Sequence, residues 1–113
     1  MKIKIQIYCG DEIAMGPGKA DLLDAIASEG SISAAGRKLK MSYRRCWMLV
    51  DVMNRCWAEP LVKTSTEGAE VTEFGRGILA QYRKLQDAAG QAAIPAHWPR
   101  LERVLRVEPL PRA

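Results

Sequence analysis

Two helical patterns follow one another between residues 30 and 54, with only Met41 and Ser42 to connect them. Ser31 or Ser33 can cap the first helix, and Ser42 can cap the second, because a serine hydroxyl accepts hydrogen bonds from the free backbone amides of a first turn. A connection this short is typical of two closely packed helices. The sequence therefore predicts a helix-turn-helix arrangement at the centre of the chain.

The second of these helices, predicted from Ser42 to Asn54, has two different sides. Its apolar residues recur at steps of three and four, so they are expected to face the core; they are Cys46, Leu49, Val50, Met53, Cys56 and Trp57. The other side is left with Ser42, Tyr43, Arg44, Trp47, Met48, Asp51 and Asn54. We expect this second side to be exposed.

The segment before the two helices predicts one strand and one further helix. Ile3, Ile5 and Ile7 alternate with polar residues, which places them on one face of a half-buried strand. Residues Asp11 to Gly18 are predicted to form a loop because they contain Gly-Pro-Gly. A helix is predicted to follow from about Lys19 to Glu29.

The segment after the two helices predicts a hairpin and a longer helix. Leu61–Thr64 and Glu70–Thr72 are expected to pair as two short strands around a turn. Thr72 can then cap a helix from about Glu73 to Ala89. Because residues 90–113 contain four prolines, we expect a loosely attached tail there, with one or two helical turns at most.

The length and composition fit one folded domain. A chain of 113 residues with 48% hydrophobic and 27% charged residues has the balance of a globular protein with a single core. We expect a mainly α fold with a small β component, with a winged helix-turn-helix domain over residues 1–89 and the tail over 90–113. No stretch approaches the roughly 18 apolar residues of a membrane span, so a cytoplasmic protein without a membrane partner is expected.

Catalytic and metal chemistry find little support in the sequence. The three cysteines have no CxxC spacing, and His97 is the only histidine, so we expect reduced, structural cysteines and no metal or other cofactor. Residues 16–19 superficially suggest a phosphate-binding loop, but Ile13 stands where that loop needs glycine, and Ala20 where it needs a hydroxyl. We therefore expect a protein that is not an enzyme.

The positive charge is concentrated in the middle of the chain. Between Arg37 and Lys63 the sequence has seven cations and two anions. Such a cluster suits a phosphate backbone, although a solvated basic face would have the same composition. Together with the order of the helices and the hairpin, it predicts binding to duplex DNA, with the second helix in the major groove. The expected contact residues are Ser31, Ser33, Ser42, Tyr43, Arg44, Arg45, Trp47, Lys63 and Thr64.

Several runs of the sequence resemble a known family. Gly30–Ala35, Met41–Trp47 and Val50–Asn54, with Gly16–Lys19 and Val71–Gly75, are similar to the N-terminal DNA-binding domain of ModE-type molybdenum-responsive regulators. They resemble the LysR-type domain more distantly. The resemblance extends from about Lys4 to Leu85 and implies a transcriptional regulator that acts as a homodimer on an inverted repeat. It also implies a dimer interface on the last helix, with candidates Ile78, Leu79, Tyr82 and Leu85.

The sequence departs from that family at two places. Full-length regulators of this type have C-terminal molybdate-binding domains, and residues 90–113 are too few to form them, so we expect no molybdate binding by this chain. The hairpin at residues 63–69 is short, and it contains Glu67, whose charge would repel phosphate. Lys63 and Thr64 are therefore expected to position DNA without specifying its sequence.

Two other binding functions remain as alternatives. A winged helix can also bind a protein partner through the same helix, and Trp47, Met48 and Asp51 favour that interpretation. Arg44 and Arg45 favour DNA. A protein that binds RNA or single strands would need more exposed aromatic residues in the basic region than Tyr43 and Trp47.

Overall fold

The computed structural model describes residues 1–112, apart from the side chain of Ala93. These residues form four helices and two antiparallel hairpins. In chain order the elements are β1 (Ile7–Cys9), β2 (Glu12–Met15), α1 (Pro17–Glu29), α2 (Ile32–Leu39), α3 (Tyr43–Cys56), β3 (Val62–Ser65), β4 (Gly68–Val71) and α4 (Glu73–Val104). The predicted class, mainly helical with a small β component and a hairpin wing, is confirmed.

Helices α2 and α3 are joined by the short turn that the sequence predicts. The Ser31 Oγ accepts the backbone N–H of Ala34 at 3.1 Å, so Ser31 rather than Ser33 caps α2. Lys40 ends α2 in the left-handed conformation, with φ of 57°. The Ser42 Oγ then accepts the N–H of Arg45 at 3.1 Å and begins α3. Each of the two helices thus begins at a serine cap, and the cap of the second helix also ends the turn.

The core lies between α1, α3 and the second hairpin. Leu22, Leu23 and Ile26 of α1 are fully buried, together with Met53 of α3 and Leu61. The predicted inward side of α3 is confirmed, since its members are buried or half-buried. Burial of these side chains fixes the rotation of α3 and therefore decides which of its residues face solvent.

The helix pair packs closely at Gly36. A Cβ atom at Gly36 would lie 3.0 Å from both the Sγ of Cys46 and the carbonyl oxygen of Met41. This is closer than ordinary van der Waals contact, so a larger residue would push α2 away from α3. The glycine thus permits the close approach of the two helices.

Asn54 does not face solvent, contrary to the prediction from the helical pattern. Its Oδ1 accepts the N–H of Leu61 at 2.8 Å and that of Val62 at 3.0 Å, while its Nδ2 donates to the carbonyl of Val62 at 3.0 Å. The chain folds back after Pro60 and brings the start of β3 against this last turn of α3. The side chain of Asn54 therefore supplies hydrogen-bond partners for the backbone of Leu61 and Val62.

The N-terminal segment is a hairpin rather than a strand followed by a loop. Strand β1 pairs with β2 in antiparallel register, with Cys9 opposite Glu12 and Tyr8 opposite Ile13. The prediction placed the strand too early and took β2 for loop, because a four-residue strand beside Gly-Pro-Gly has a weak alternating signal. Burial of Ala14 and Met15 holds β2 against the core.

Helix α4 is longer than predicted. It extends to Val104 and passes through Pro95 and Pro99, although a tail was expected beyond residue 89. A proline removes one backbone donor and bends a helix, but neighbouring residues can continue it. Residues 90–104 thus belong to the helix. No helix within residues 1–112 is long and apolar enough to cross a membrane.

Polar contacts fasten α4 to the domain. The Tyr82 hydroxyl donates to the carbonyl oxygen of Ile5 at 2.6 Å. The Nη2 of Arg83 lies 2.9 Å from a carboxylate oxygen of Asp21 and 2.7 Å from one of Asp24, both on α1. These contacts fix the direction in which the remainder of α4 leaves the domain.

The three cysteines differ in exposure. Cys46 is buried in the core, where burial raises the pKa of its thiol. Cys9 is exposed and Cys56 is half-buried, so the expectation that all three act as small buried residues is wrong for Cys9. An exposed thiol at the end of a strand remains open to reagents in solution.

Candidate nucleic-acid interface

The first turn of α3 presents its side chains to solvent. Tyr43, Arg44 and Arg45 are all exposed, as predicted. The hydroxyl oxygen of Ser42 accepts one hydrogen bond as the cap of the helix, so its O–H group and one further lone pair are what it can offer a ligand. This end of α3 combines two guanidinium groups with a phenol on one exposed helix turn.

A pair of aromatic rings extends this surface along α3. Tyr43 and Trp47 lie one turn apart, with ring centroids 6.1 Å apart and an interplanar angle of 74°. This edge-to-face arrangement is favourable for aromatic rings and orients both side chains. Tyr43 is 57% exposed, Trp47 38% and Met48 58%. Large apolar side chains at this level of exposure are available for contact with a ligand.

The aromatic pair lies beside the start of α2 and the second hairpin. A shallow notch of about 180 Å³ is lined by residues from all three elements. Its walls include Ser31, Ser33, Tyr43, Trp47 and Thr64. Five of the predicted contact residues, which are distant in sequence, are therefore brought together on one surface.

Arg45 lies on the opposite flank of α3. Burial lowers the pKa of the Lys19 ammonium, and the nearby charge of Arg45 lowers it further, which places the two cations close to each other. Lys19 belongs to the first turn of α1. The aromatic rings thus mark the flank of α3 near the hairpin, and the two cations mark the flank near α1.

The hairpin formed by β3 and β4, called the wing below, is held against α1. The N–H of Ala69 donates to the carbonyl oxygen of Gly30 at 2.9 Å. Lys63 and Thr64 are exposed on β3, where Lys63 is paired with Glu70 of β4. The wing has one lysine and two glutamates, Glu67 and Glu70, so its formal net charge is −1.

The exposed cations of α2, α3 and the turn between them differ in their partners. Lys38 lies 3.7 Å from Glu29, and Arg55 contacts Asp51 at 3.0 Å and Glu12 at 3.7 Å. Within residues 1–112, no salt bridge includes Arg37, Lys40, Arg44 or Arg45. Sequence reasoning counted the cations but could not separate these two groups, because the ion pairs depend on tertiary contacts.

The predicted interface residues on α4 fall into three environments. Ile78 and Leu79 are half-buried against the core, and Leu85 is exposed. Tyr82 is 2% exposed, so its side chain has almost no surface to offer a second chain. Sequence reasoning missed the apolar residues further along the helix, Ile94, Trp98 and Leu101, because it ended the helix before them.

The solved structures share this fold. The structure of the DNA-binding domain of CbnR in complex with DNA aligns with a TM-score of 0.57 and 23% identity, over 66% of this chain and 86% of that one. Full-length LysG from Corynebacterium glutamicum with bound arginine aligns with a TM-score of 0.56 and 28% identity, over 80% of this chain and 30% of that one. The winged-helix architecture is therefore that of LysR-family DNA-binding domains.

Sequence relatives and the family model agree with the structural comparison. The molybdenum transport protein ModE of Azotobacter vinelandii is 37% identical over 78 residues, which are 65% of this chain and 29% of that protein. The molybdenum-pterin-binding protein MopA of Rhodobacter capsulatus is 34% identical over 83 residues, 69% of this chain and 31% of that protein. The chain thus spans about a third of the length of these relatives. Residues 19–76 match the bacterial regulatory helix-turn-helix model of the lysR family, and the chain belongs to that family.

Proposed function

We propose that this chain binds duplex DNA sequence-specifically and regulates transcription, with α3 in the major groove. The observation that carries the proposal is the single surface formed by the exposed start of α3, the first turn of α2 and the wing. A major groove about 12 Å wide accepts one helix. When α3 enters it, Ser31, Ser33 and Thr64 face the phosphates of the groove wall. The CbnR domain that shares this fold was solved in complex with DNA, which supports DNA as the ligand.

The side chains on α3 divide the recognition between hydrogen bonds and apolar contact. Arg44 lies at the centre of the exposed side and has no salt-bridge partner within residues 1–112, so its guanidinium is free to donate two hydrogen bonds to guanine. Tyr43 and Trp47 offer ring edges to the methyl group of thymine. Arg37, Lys40 and Arg45 surround this surface and attract phosphate.

We further propose that two copies of the chain act together through α4. Past Leu85, this helix presents Ile94, Trp98 and Leu101 at steps of four and three, a spacing that suits contact between two helices. A two-fold dimer places its reading helices about 34 Å apart, or a multiple of that distance. The DNA site expected for such a dimer is an inverted repeat.

A selection of bound sites from random duplex DNA tests the proposal. The expected result is an enriched inverted repeat, together with binding that weakens steeply with salt, since each neutralised phosphate contributes about −0.9 to the log-log slope. Enrichment of direct repeats or of single half-sites would contradict the two-fold dimer but not DNA binding. Failure to enrich any sequence, with a salt slope near zero, would overturn DNA binding.

One observation favours a second candidate function, a protein-interaction module. The exposed side of α3 carries Trp47, Met48 and Asp51, and an apolar surface with one acidic residue can bind a protein. The carboxylate of Asp51 is however held by Arg55 at 3.0 Å, which reduces its repulsion of phosphate. The same selection experiment separates the two functions.

A further inference from the structure

Two of the three cysteines meet where the N-terminal hairpin packs on the end of α3. Cys9 is the last residue of β1, and Cys56 is the last residue of α3. Cys9 is exposed and Cys56 is half-buried, and both are free thiols. They are separated by β2, α1, α2 and nearly all of α3 in the chain, so their proximity is a product of the fold.

The residues on both sides of Cys56 are fastened to the hairpin. The guanidinium of Arg55 lies 3.7 Å from the carboxylate of Glu12, and the indole N–H of Trp57 donates to the carbonyl oxygen of Ala14 at 3.0 Å. Glu12 is in turn paired with Cys9 across the hairpin. These three relations hold Cys56 beside Cys9.

The surroundings of Cys56 agree with this placement. Burial raises the pKa of the Cys56 thiol, and its interaction with the neighbouring Cys9 thiol raises it further. Glu12 acts in the same direction, while Arg55 opposes it. The thiol of Cys56 therefore stays protonated to a higher pH than an ordinary cysteine thiol does.

We propose that Cys9 and Cys56 form an oxidation site, in which a hydroperoxide joins the two thiols in a reversible intramolecular disulfide. The inference does not depend on DNA binding. It rests on two thiols that the fold holds together at the ends of their elements, with one of them open to solvent.

The reaction proceeds in two balanced steps. The Cys9 thiolate attacks one oxygen of hydrogen peroxide, the O–O bond breaks, and the products are a sulfenic acid on Cys9 and hydroxide, which takes up the proton released by the thiol to form water. The Cys56 thiolate then attacks the Cys9 sulfur, the S–O bond breaks, and hydroxide leaves and is protonated to water. The two thiols lose two hydrogen atoms in total, and the peroxide is reduced to two molecules of water.

Exposure assigns the order of the two cysteines. Peroxide in solution reaches Cys9 directly, whereas Cys56 is partly covered by the hairpin. Cys56 therefore acts as the resolving thiol, and its raised pKa makes the second step faster as the pH rises. Cys46 is fully buried and serves as an internal control that should remain a thiol.

In the test, the reduced chain of 113 residues is treated with a few equivalents of hydrogen peroxide, and its tryptic peptides are mapped by mass spectrometry. The three cysteines fall on different tryptic peptides, 5–19, 46–55 and 56–63. The expected product is a cross-link of peptides 5–19 and 56–63 that is two hydrogens lighter than their sum and is reversed by dithiothreitol. Maleimide labelling under denaturing conditions should then find a single free thiol, on Cys46.

The variants separate the steps. C56S should accumulate a sulfenic acid on Cys9 that dimedone traps, whereas C9S should give no cross-link and at least tenfold less dimedone product. C46S should form the cross-link as the wild type does. The oxidised wild type should melt several degrees higher than the reduced protein, because the bond closes a long loop. Cross-links to Cys46, exclusive formation of intermolecular dimers, or full labelling of Cys9 and Cys56 after oxidation would overturn the proposal.

Discussion

The side-chain oxygen of Asn54 accepts the backbone N–H of Leu61 at 2.8 Å and so joins the last turn of α3 to the start of the wing. Asn54 also forms two hydrogen bonds with Val62. Asn54→Ala should lower the free energy of unfolding by about 3 kcal/mol, because it leaves part-buried backbone groups without partners. Urea denaturation followed by circular dichroism measures this loss.

A control lies one turn earlier on the exposed side of the same helix. Asp51→Ala removes a surface ion pair with Arg55, and such pairs contribute little to stability. Its unfolding midpoint should stay close to that of the wild type. Equal losses for the two variants would mean that the three hydrogen bonds of Asn54 do not stabilise the junction.

The caps of the helices could be predicted from sequence because each cap is a hydrogen bond between residues that are close together in the chain. Ser31, Ser42 and Thr72 each accept an N–H three residues later in the chain. Asn54 was misplaced because its partners lie beyond the end of its helix, where periodicity gives no information. The contact of Tyr82 with Ile5 spans 77 positions and has no local signature at all.

The exposure of the candidate residues on α3 was predicted from sequence, but their arrangement in space was not. The spacing of apolar residues along α3 showed that Tyr43, Arg44 and Trp47 face outward. It could not show that the two rings lie beside the wing while Arg45 lies near Lys19, because that depends on how α1 and the wing pack. The prolines of α4 were expected to lie in a tail beyond the end of the helix, although the helix continues through Pro95 and Pro99.

Two glycines of α4 should respond to alanine in opposite directions. A Cβ atom at Gly75 would collide with the carbonyl oxygen of Leu61, whereas nothing lies within 4 Å of a Cβ at Gly77. Gly75→Ala should lower stability by about 2 kcal/mol through overpacking. Gly77→Ala should raise it by up to about 1 kcal/mol, since alanine is the better helix former. Thermal melts of both variants test this pair, and a stabilised Gly75→Ala would contradict the close approach.

The stability of the fold should decrease at alkaline pH, in part through Tyr82. Burial raises the pKa of its phenol above the ordinary value of 10.0; Arg83 opposes this effect and Asp21 adds to it. The folded state therefore holds the phenolic proton more tightly than the unfolded state does. The stabilisation is complete below pH 10 and is lost as the pH rises through the folded pKa.

Tyr82→Phe isolates this contribution, because it removes the titrating group and the hydrogen bond to Ile5. The variant should be less stable than the wild type at pH 8, and its stability should decline less steeply above pH 10. Cys46, whose pKa burial also raises, titrates in both proteins and cancels in the comparison. Parallel stability curves above pH 10 would show that Tyr82 does not cause the alkaline loss. Urea midpoints measured between pH 8 and 11.5 provide the data.

Arg44 and Lys63 should affect DNA binding in different ways. Arg44→Ala should relax the preference at one base position of each half-site, at a cost of roughly 1 to 3 kcal/mol on the preferred sequence. Lys63→Ala should weaken binding to all sequences about equally and reduce the salt slope by about one. Binding-site selection repeated with each variant makes the comparison. Identical changes in the two selection profiles would show that these roles are wrongly assigned.

Thymine methyl groups should contribute to binding through Trp47. Replacing thymine with uracil in a selected site removes only the methyl group, which contributes about 0.8 kcal/mol, or roughly fourfold in affinity, when it is buried against an apolar surface. The wild type should show this loss, while Trp47→Ala should bind the two duplexes with nearly equal affinity. Arg44→Ala serves as the matched control and should retain the loss, because its side chain donates hydrogen bonds instead. If uracil weakened the wild type and Trp47→Ala to the same extent, the thymine methyl groups would contact a side chain other than Trp47.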